Sequence, residues 1–168
     1  MMLEVAIEAD GEWDSKSGWN VLARRAAEAA IAESAFPQLA ASARPVEISV
    51  RLASDDAVRA LNAQWRGKDH ATNVLSFPLA ERHELSDTNV AGPELLLGDV
   101  ILARGICVAE AAGKQVALED HAAHLIVHGT LHLLGYDHQD DGAAGDMEMR
   151  EIRALARLGI ANPYEQAA

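Results

Sequence analysis

The chain has 168 residues, 49% of them apolar, and a formal net charge of −12 at pH 7. That length suits a single domain with a full hydrophobic core, and the composition excludes a disordered chain. The acidic balance excludes long-range attraction to a polyanion, so a nucleic-acid partner would have to be met by a local basic patch.

The N-terminus, MMLEVAIEADGEW, lacks the basic region and long apolar core of a signal peptide. Leu3, Val5 and Ile7 alternate with polar or small residues and predict a first strand, ended by Asp10-Gly11. From Trp19 to about Ala35, residues Trp19, Leu22, Ala26, Ala29 and Ala30 line one side of an amphipathic helix that stops near Pro37. Val46, Ile48, Val50 and Leu52 predict a second strand. Ser54 reads as the N-cap of a helix to about Trp65, with Asp55 and Asp56 in the first turn where the helix dipole favours anions.

VLSFP (74–78) predicts a third strand, and the polar stretch 80–93 a loop. LLLGDVILA (95–103) predicts a fourth strand, in which Gly98 signals a bulge or a close backbone approach. The helix after it, to about Ala112, carries the sole cysteine, Cys107. A lone cysteine excludes a disulfide within the chain, and its apolar neighbours mark it as a small buried hydrophobe. Another helix runs from near Leu118 to Leu134, where Gly135 can supply a left-handed residue just past the end. A last helix, about 143–158, ends at Gly159, and Asn162-Pro163 opens a short tail. Interleaved strands and helices, with two strands adjacent in the middle, predict one α+β domain over 1–168: a small mixed sheet of about four strands packed with helices. No apolar run is long enough to cross a bilayer, so the expectation is a cytoplasmic protein with no membrane partner.

The densest chemistry lies in HGTLHLLGYDH (128–138). His128 and His132, four apart on a helix, share a face, and both imidazoles can reach one zinc ion at about 2.0–2.1 Å. His138 would be carried past the site by a straight helix, so the chain has to turn back, and Gly135 stands where that turn is needed. Three histidines would then fill three corners of a tetrahedron and leave the fourth open, as catalytic zinc sites do. The spacing matches the metzincin pattern H-E-x-x-H-x-x-G-x-x-H except that Gly129 replaces the glutamate, so the peptidase base is missing. A glycine inside a helix costs about 1 kcal/mol relative to alanine, which suggests a need for empty space beside the ion, for a bulky substrate or a close backbone. A structural zinc site would want a fourth ligand, for which Asp137 or Asp140 is available. His121 and His124 lie upstream on the same face. A rival pair of His124 and His128 lacks the return turn, so core packing or support of the bound histidines suits them better.

A second block is RGKDHATNVLSFP (66–78). From the residues alone, Arg66 and Lys68 fit either a solvated polar turn or a local phosphate contact, since a guanidinium offers a planar fork of donors to phosphate oxygens. Asp69, Thr72 and Asn73 suit fixing the turn, and Asp99 in LGDV suits orienting a neighbour.

Taken together, HGTLHLLGYDH, LGDV at 97–100 and RGKDHATNVLSFP resemble the YbeY family of bacterial endoribonucleases, over about Leu61 to His138. One departure is His70-Ala71, where a proline is common before the threonine; it would loosen the turn without touching a ligand. The resemblance implies a zinc-dependent endoribonuclease specific for single-stranded RNA. Its role would be in ribosomal RNA processing, at the 3′ end of the small-subunit RNA, and in ribosome quality control. Implied partners are single-stranded RNA, ribosomal RNA and ribosomal proteins of the small subunit. His128, His132 and His138 would hold Zn2+, with His128 and Arg66 at the reacting centre and Arg66 and Lys68 on the substrate. The ion would polarise a phosphoryl oxygen or activate water, and Arg66, matching the family's functionally important arginine, would steady the charge that builds. The nucleophile stays open between water and the RNA's own 2′-hydroxyl. Two other classes remain: a zinc peptidase-like hydrolase, disfavoured by Gly129, and a non-catalytic ribosome-assembly factor with structural zinc.

Overall fold

Alternating apolar residues build the sheet. In the computed structural model, which describes residues 3–11, 13, 18–86 and 92–165, four strands form: β1 (Leu3–Ala9), β2 (Val46–Ala53), β3 (Val74–Pro78) and β4 (Leu95–Ala103). Their order is β1-β2-β4-β3. β1 and β4 run parallel to β2, and β3 is antiparallel to β4. Val46, Ile48, Val50 and Leu52 on β2, with Leu97, Val100 and Leu102 on β4, point into one buried core. Its other wall comes from α1 (Trp19–Ala32) and α5 (Leu118–Leu133). Burial on nearly every side makes α5 a core helix, which explains why its sequence has no wide polar face.

The opposite face is covered over part of its width. α2 (Asp55–Arg66) and α4 (Arg104–Lys114) set Val58, Leu61 and Ile106 against Leu75, Ile101 and Ala103. Ser54 caps α2 as expected, its side chain accepting from Ala57 N–H at 3.1 Å. Asp55, expected only to meet the dipole of its own helix, also reaches the start of α4, where Oδ1 accepts from Ile106 N–H at 3.2 Å. The last helix, α6 (Asp141–Arg157), begins two residues before the expected 143, because Asp140 caps it by accepting from Ala143 N–H at 2.8 Å. No helix among the described residues is long and apolar enough to cross a membrane.

Two further expectations about elements need correction. α1 ends at Ala32 and not near Ala35, because the Ser34 hydroxyl donates to Ile31 C=O at 2.7 Å and accepts from Phe36 N–H at 3.0 Å; both bonds hold a turn that leads into a 3-10 turn at Pro37–Ala41. The predicted loop 80–93 contains a short helix, α3 (Arg82–Ser86), whose Leu85 is buried in the main core; residues 87–91 of that stretch lie outside the described set.

The helix-to-sheet distance is set by two glycines. Gly98 has φ +141° beside a register shift between Glu47 and Ile48, so both readings of it hold: there is a bulge, and there is a close approach. A Cβ there would lie 2.3 Å from the Phe77 carbonyl oxygen and 2.8 Å from Leu133 Cδ2. At Gly129 a Cβ would lie 2.6 Å from Val100 Cγ1 and 3.2 Å from Ser76 Oγ. Of the two reasons offered for Gly129, room for a bulky substrate is contradicted, and a close approach of helix and sheet is what the glycine permits. The room that Gly129 leaves is filled by Val100 from the sheet, so any side chain at this position would require Val100 or the helix to shift.

Gly129→Leu is accordingly expected to destabilise the fold and not merely to crowd a substrate. Overpacking of this kind typically costs about 1–3 kcal/mol, and for a chain of this size each kcal/mol lowers the melting temperature by about 2–4 °C. Thermal melts of metal-stripped protein check it: an unchanged midpoint would mean that α5 does not rest on Val100.

Candidate metal centre

α5 presents His128 and His132 one turn apart, partly buried. The helix then stops in a Schellman arrangement. Gly135 N–H donates to His132 C=O at 3.0 Å and Tyr136 N–H to Leu131 C=O at 3.1 Å, with Gly135 at φ +97°. Tyr136 pins the returning chain: its hydroxyl accepts from Ala35 N–H at 2.9 Å, and the Arg150 guanidinium lies 4.8 Å from its ring centre. The turn brings His138 back, with ring centroids 5.7 Å from His128 and 5.3 Å from His132. One ligand nitrogen from each of the three histidines falls within 4.8 Å of the others, so the group could hold a metal ion.

The donor set fits such an ion. The Nε2 atoms of His128 and His132 are 3.0 Å apart, close to the spacing of about 3.3 Å that tetrahedral bonds of 2.0–2.1 Å to one zinc would give. The carboxylate of Glu151 selects the matching tautomer of His128. His128 Nδ1 lies 2.8 Å from Oε1 of Glu151, so Nδ1–H donates to the carboxylate and the Nε2 lone pair faces the cluster. His132 is held down at about 4 by burial first, then by the neighbouring His128 and His138, so its imidazole is neutral at pH 7.

Glu151 was not singled out in the sequence. It is 1% exposed and accepts from His128, from His124 Nε2 at 3.2 Å and from the Tyr164 hydroxyl at 2.8 Å. Burial alone would push its carboxyl up, but the donors from His124 and His128, with Tyr164, hold it down at about 2. A signal existed: Met147, Glu151, Ala154 and Leu155 repeat at helical spacing on the buried stripe of α6, and a glutamate on an apolar stripe needs a partner. His121 and His124 play the supporting parts expected of them. His121 Nε2 lies 2.8 Å from Glu110, whose carboxylate accepts from Asn73 Nδ2 at 3.1 Å, so Asn73 is indeed a fixed part of its turn.

The three histidines and Arg66 line one cavity of about 450 Å3, together with Thr72, Asn73 and Ser76 of the second sequence block and with Asp137. Arg66 is exposed at the C-terminal end of α2, and its Nη2–H donates to Ser76 C=O at 2.9 Å. Its guanidinium carbon lies 5.6 Å from the centre of the Phe77 ring. Arg66 therefore has a structural tie between α2 and β3 that the sequence did not suggest. Lys68 is exposed and does not line this cavity. The turn around it is firm despite the missing proline, since Arg59 and Asp69 pair at 2.8 Å and Asn62 Nδ2 donates to His70 C=O at 2.8 Å. Asp99 lines a separate groove with Arg51 and Trp65. The two acids considered as fourth ligands are engaged locally: Asp137 Oδ1 accepts from Gln139 N–H at 3.2 Å, and Asp140 caps α6.

Comparison with known proteins agrees with this architecture. Residues 12–159 match the family model described as Endoribonuclease YbeY. A protein of that description from Rhizorhabdus wittichii is 50% identical over 164 residues, covering 97% of both chains. One from Sphingopyxis alaskensis is 49% identical, covering 97% of this chain and 98% of its own. The solution structure of a Thermotoga maritima protein shares the fold with a TM-score of 0.54 at 23% identity, covering 93% of this chain and 92% of that one.

The buried imidazole predicts a pH dependence in the metal-free chain. An unfolded histidine titrates near about 6.5, and the folded His132 at about 4. The unfolded chain thus binds the extra proton, and stability falls as pH drops from about 6.5 towards 4. Melting curves of stripped protein should show that loss, and His132→Gln should flatten part of it. A slope identical in the two proteins would contradict the burial of this ring.

Proposed function

The chain belongs to the YbeY endoribonuclease family, and from that premise we propose that it is a zinc-dependent endoribonuclease that cuts single-stranded RNA. We further place it in ribosomal RNA processing, at the 3′ end of the small-subunit RNA, and in ribosome quality control in the cytoplasm. Ribosomal proteins of the small subunit are its candidate protein partners. The observation that carries this reading is one cavity faced by three convergent imidazoles and a guanidinium.

The roles follow from the atoms present. His128, His132 and His138 hold the ion, which supplies Lewis-acid chemistry at the phosphodiester when bound. Three neutral imidazoles suit zinc better than a hard cation. Arg66 receives the phosphate. Ser76 C=O takes one of its five N–H groups and fixes the plane of the fork at the cavity rim. Held this way, the guanidinium spends little entropy on meeting a phosphate, and it stays charged at every working pH. Lys68, outside the cavity, contributes to the substrate as an exposed charge along the RNA's path. A net charge of −12 gives the chain no long-range attraction to RNA, so these cations carry the electrostatic recognition.

Two results are expected from purified protein. His132→Ala should lose most of the one zinc per chain and all metal-dependent cleavage of a single-stranded RNA; full zinc content in that variant would refute the ligand set. Arg66→Gln should keep its zinc and lose about 1 kcal/mol of stability, from the bond to Ser76. It should lose about 10²–10³ in cleavage rate, the usual effect of removing a preorganised donor. Arg66→Lys should recover only part of the rate, because it lacks the fork. Zinc content, melting temperature and RNA cleavage on the same preparations test this, and normal cleavage by Arg66→Gln would move the phosphate site elsewhere.

A further inference from the structure

We infer that Tyr164, in the C-terminal tail, is a positioning residue of the metal centre, acting on His128 through the buried carboxylate of Glu151. The inference rests on the metal-centre reading above and deepens it.

A carboxylate beside a ligating histidine orients that histidine only if it is itself held. Glu151 Oε1 accepts from His128 Nδ1–H and His124 Nε2–H, while Oε2 accepts from the Tyr164 hydroxyl at 2.8 Å. Tyr164 thus occupies the oxygen that faces away from His128. Rotation of the carboxylate about its terminal bond would break all three contacts at once. Hydrogen bonds to an ionised acceptor are roughly twice as strong as neutral ones, so this is a stiff restraint on where the His128 ring points.

His124 shows how far the arrangement is organised around the acid. Its Nδ1 is buried with no hydrogen-bond partner, while its Nε2 faces Glu151 and lies 3.4 Å from the Tyr164 oxygen. The ring leaves one buried nitrogen unmatched and directs its donor to the carboxylate. The Tyr164 ring packs edge-on against His124, with centroids 5.6 Å apart. Its backbone is fixed by a turn in which Asn162 Oδ1 accepts from Tyr164 N–H at 2.8 Å.

Among the described residues, the tail is also tied by Ile160 N–H, which donates to Leu155 C=O at 3.0 Å, and by Ile160 packing on the core. Tyr164 is 43% exposed and stands on the wall of a second cavity, of about 650 Å3, shared with His121 and His124 and distinct from the one that holds the histidine triad. The hydrogen-bonded chain therefore runs from a solvent-reached surface, through a buried acid, to the rear of a metal ligand. A tail that served only to cover the core would have no use for the hydroxyl.

The test is zinc affinity, measured by competition with a chromophoric chelator, together with the visible spectrum of the cobalt-loaded protein. The proteins are the full chain, Tyr164→Phe, Glu151→Gln and the double variant, each also melted without metal. Loss of the carboxylate partner of a ligating histidine typically costs about 10–100-fold in metal affinity, which is the expectation for Glu151→Gln. Tyr164→Phe should cost about 5–10-fold, the equivalent of one buried hydrogen bond felt through the acid. It should also shift the cobalt absorption. In the Glu151→Gln background Tyr164→Phe should cost no more affinity, because the relay is already cut. Wild-type zinc affinity and an unshifted cobalt spectrum in Tyr164→Phe would overturn the inference, even if the stripped protein melted lower. Equal losses in both backgrounds would overturn it too. If Glu151→Gln does not fold, the Tyr164→Phe affinity and spectrum decide alone. A wild-type chain that takes up neither ion would bring down the metal-centre reading itself, a result distinct from either failure.

Discussion

The contact of α5 with Val100 at Gly129 is the constraint on which the rest of the site depends. With no side chain at 129, the helix settles onto β4 until Val100 and Ser76 fill the space a Cβ would need. Gly98 permits the same approach one layer away, where Leu133 lies over a residue with φ +141°. Two positions without side chains thus fix the height of one helix above one sheet. His128 and His132 flank the contact on the sequence, so their distance from β3 and from Arg66 at the end of α2 follows from it. The same depth buries His132 enough to keep its imidazole neutral.

Burying histidines creates a demand that α6 meets. An imidazole that must offer one nitrogen to an ion needs its other nitrogen satisfied, and here the partner is a fully buried carboxylate. An isolated charge in that position would be expensive by several kcal/mol. Three donors at 2.8–3.2 Å offset the cost, and the acid remains ionised because the donors outweigh the burial. α5, α6 and the tail are therefore joined by polar contacts inside an apolar interface. Such contacts specify geometry more than they add stability.

Much of this was legible in the residues. Period-two alternation marked the first two strands, short apolar runs marked the other two, and Ser54, Gly135 and Gly98 marked a cap, a helix end and a bulge through local backbone physics. The histidine triad was visible because ligand spacing on a helix and the return turn are both local. What stayed hidden is non-local. Nothing near Gly129 announces Val100, so the residues alone left room for a substrate and a close approach equally open. Arg66 looked free because its tie to Ser76 crosses from a helix to a strand. Glu151 is separated from His128 by a turn and half a helix, and only its place on the apolar stripe of α6 hinted at a buried role. α3 went unseen because five residues are too few to establish a period.

The missing glutamate of the peptidase pattern acquires a physical meaning from this geometry. The spacing of histidines and glycine is the same, and a carboxylate is still within hydrogen-bonding reach of the first histidine. It comes from α6, however, and it meets His128 at Nδ1, behind the ring. From there it can set a tautomer and hold a ring plane, but it has no access to the cavity on the Nε2 side. A glutamate at 129 itself would have to displace Val100. The acid that does line the cavity, Asp137, lies on the return turn with one oxygen engaged by Gln139 N–H. The positive group facing that space is Arg66, brought by the end of a different helix. A peptidase pairs its ion with a base beside the first histidine. This chain has closed that position with the sheet, moved the carboxylate to the rear and set a guanidinium on the cavity wall, which favours a substrate carrying negative charge.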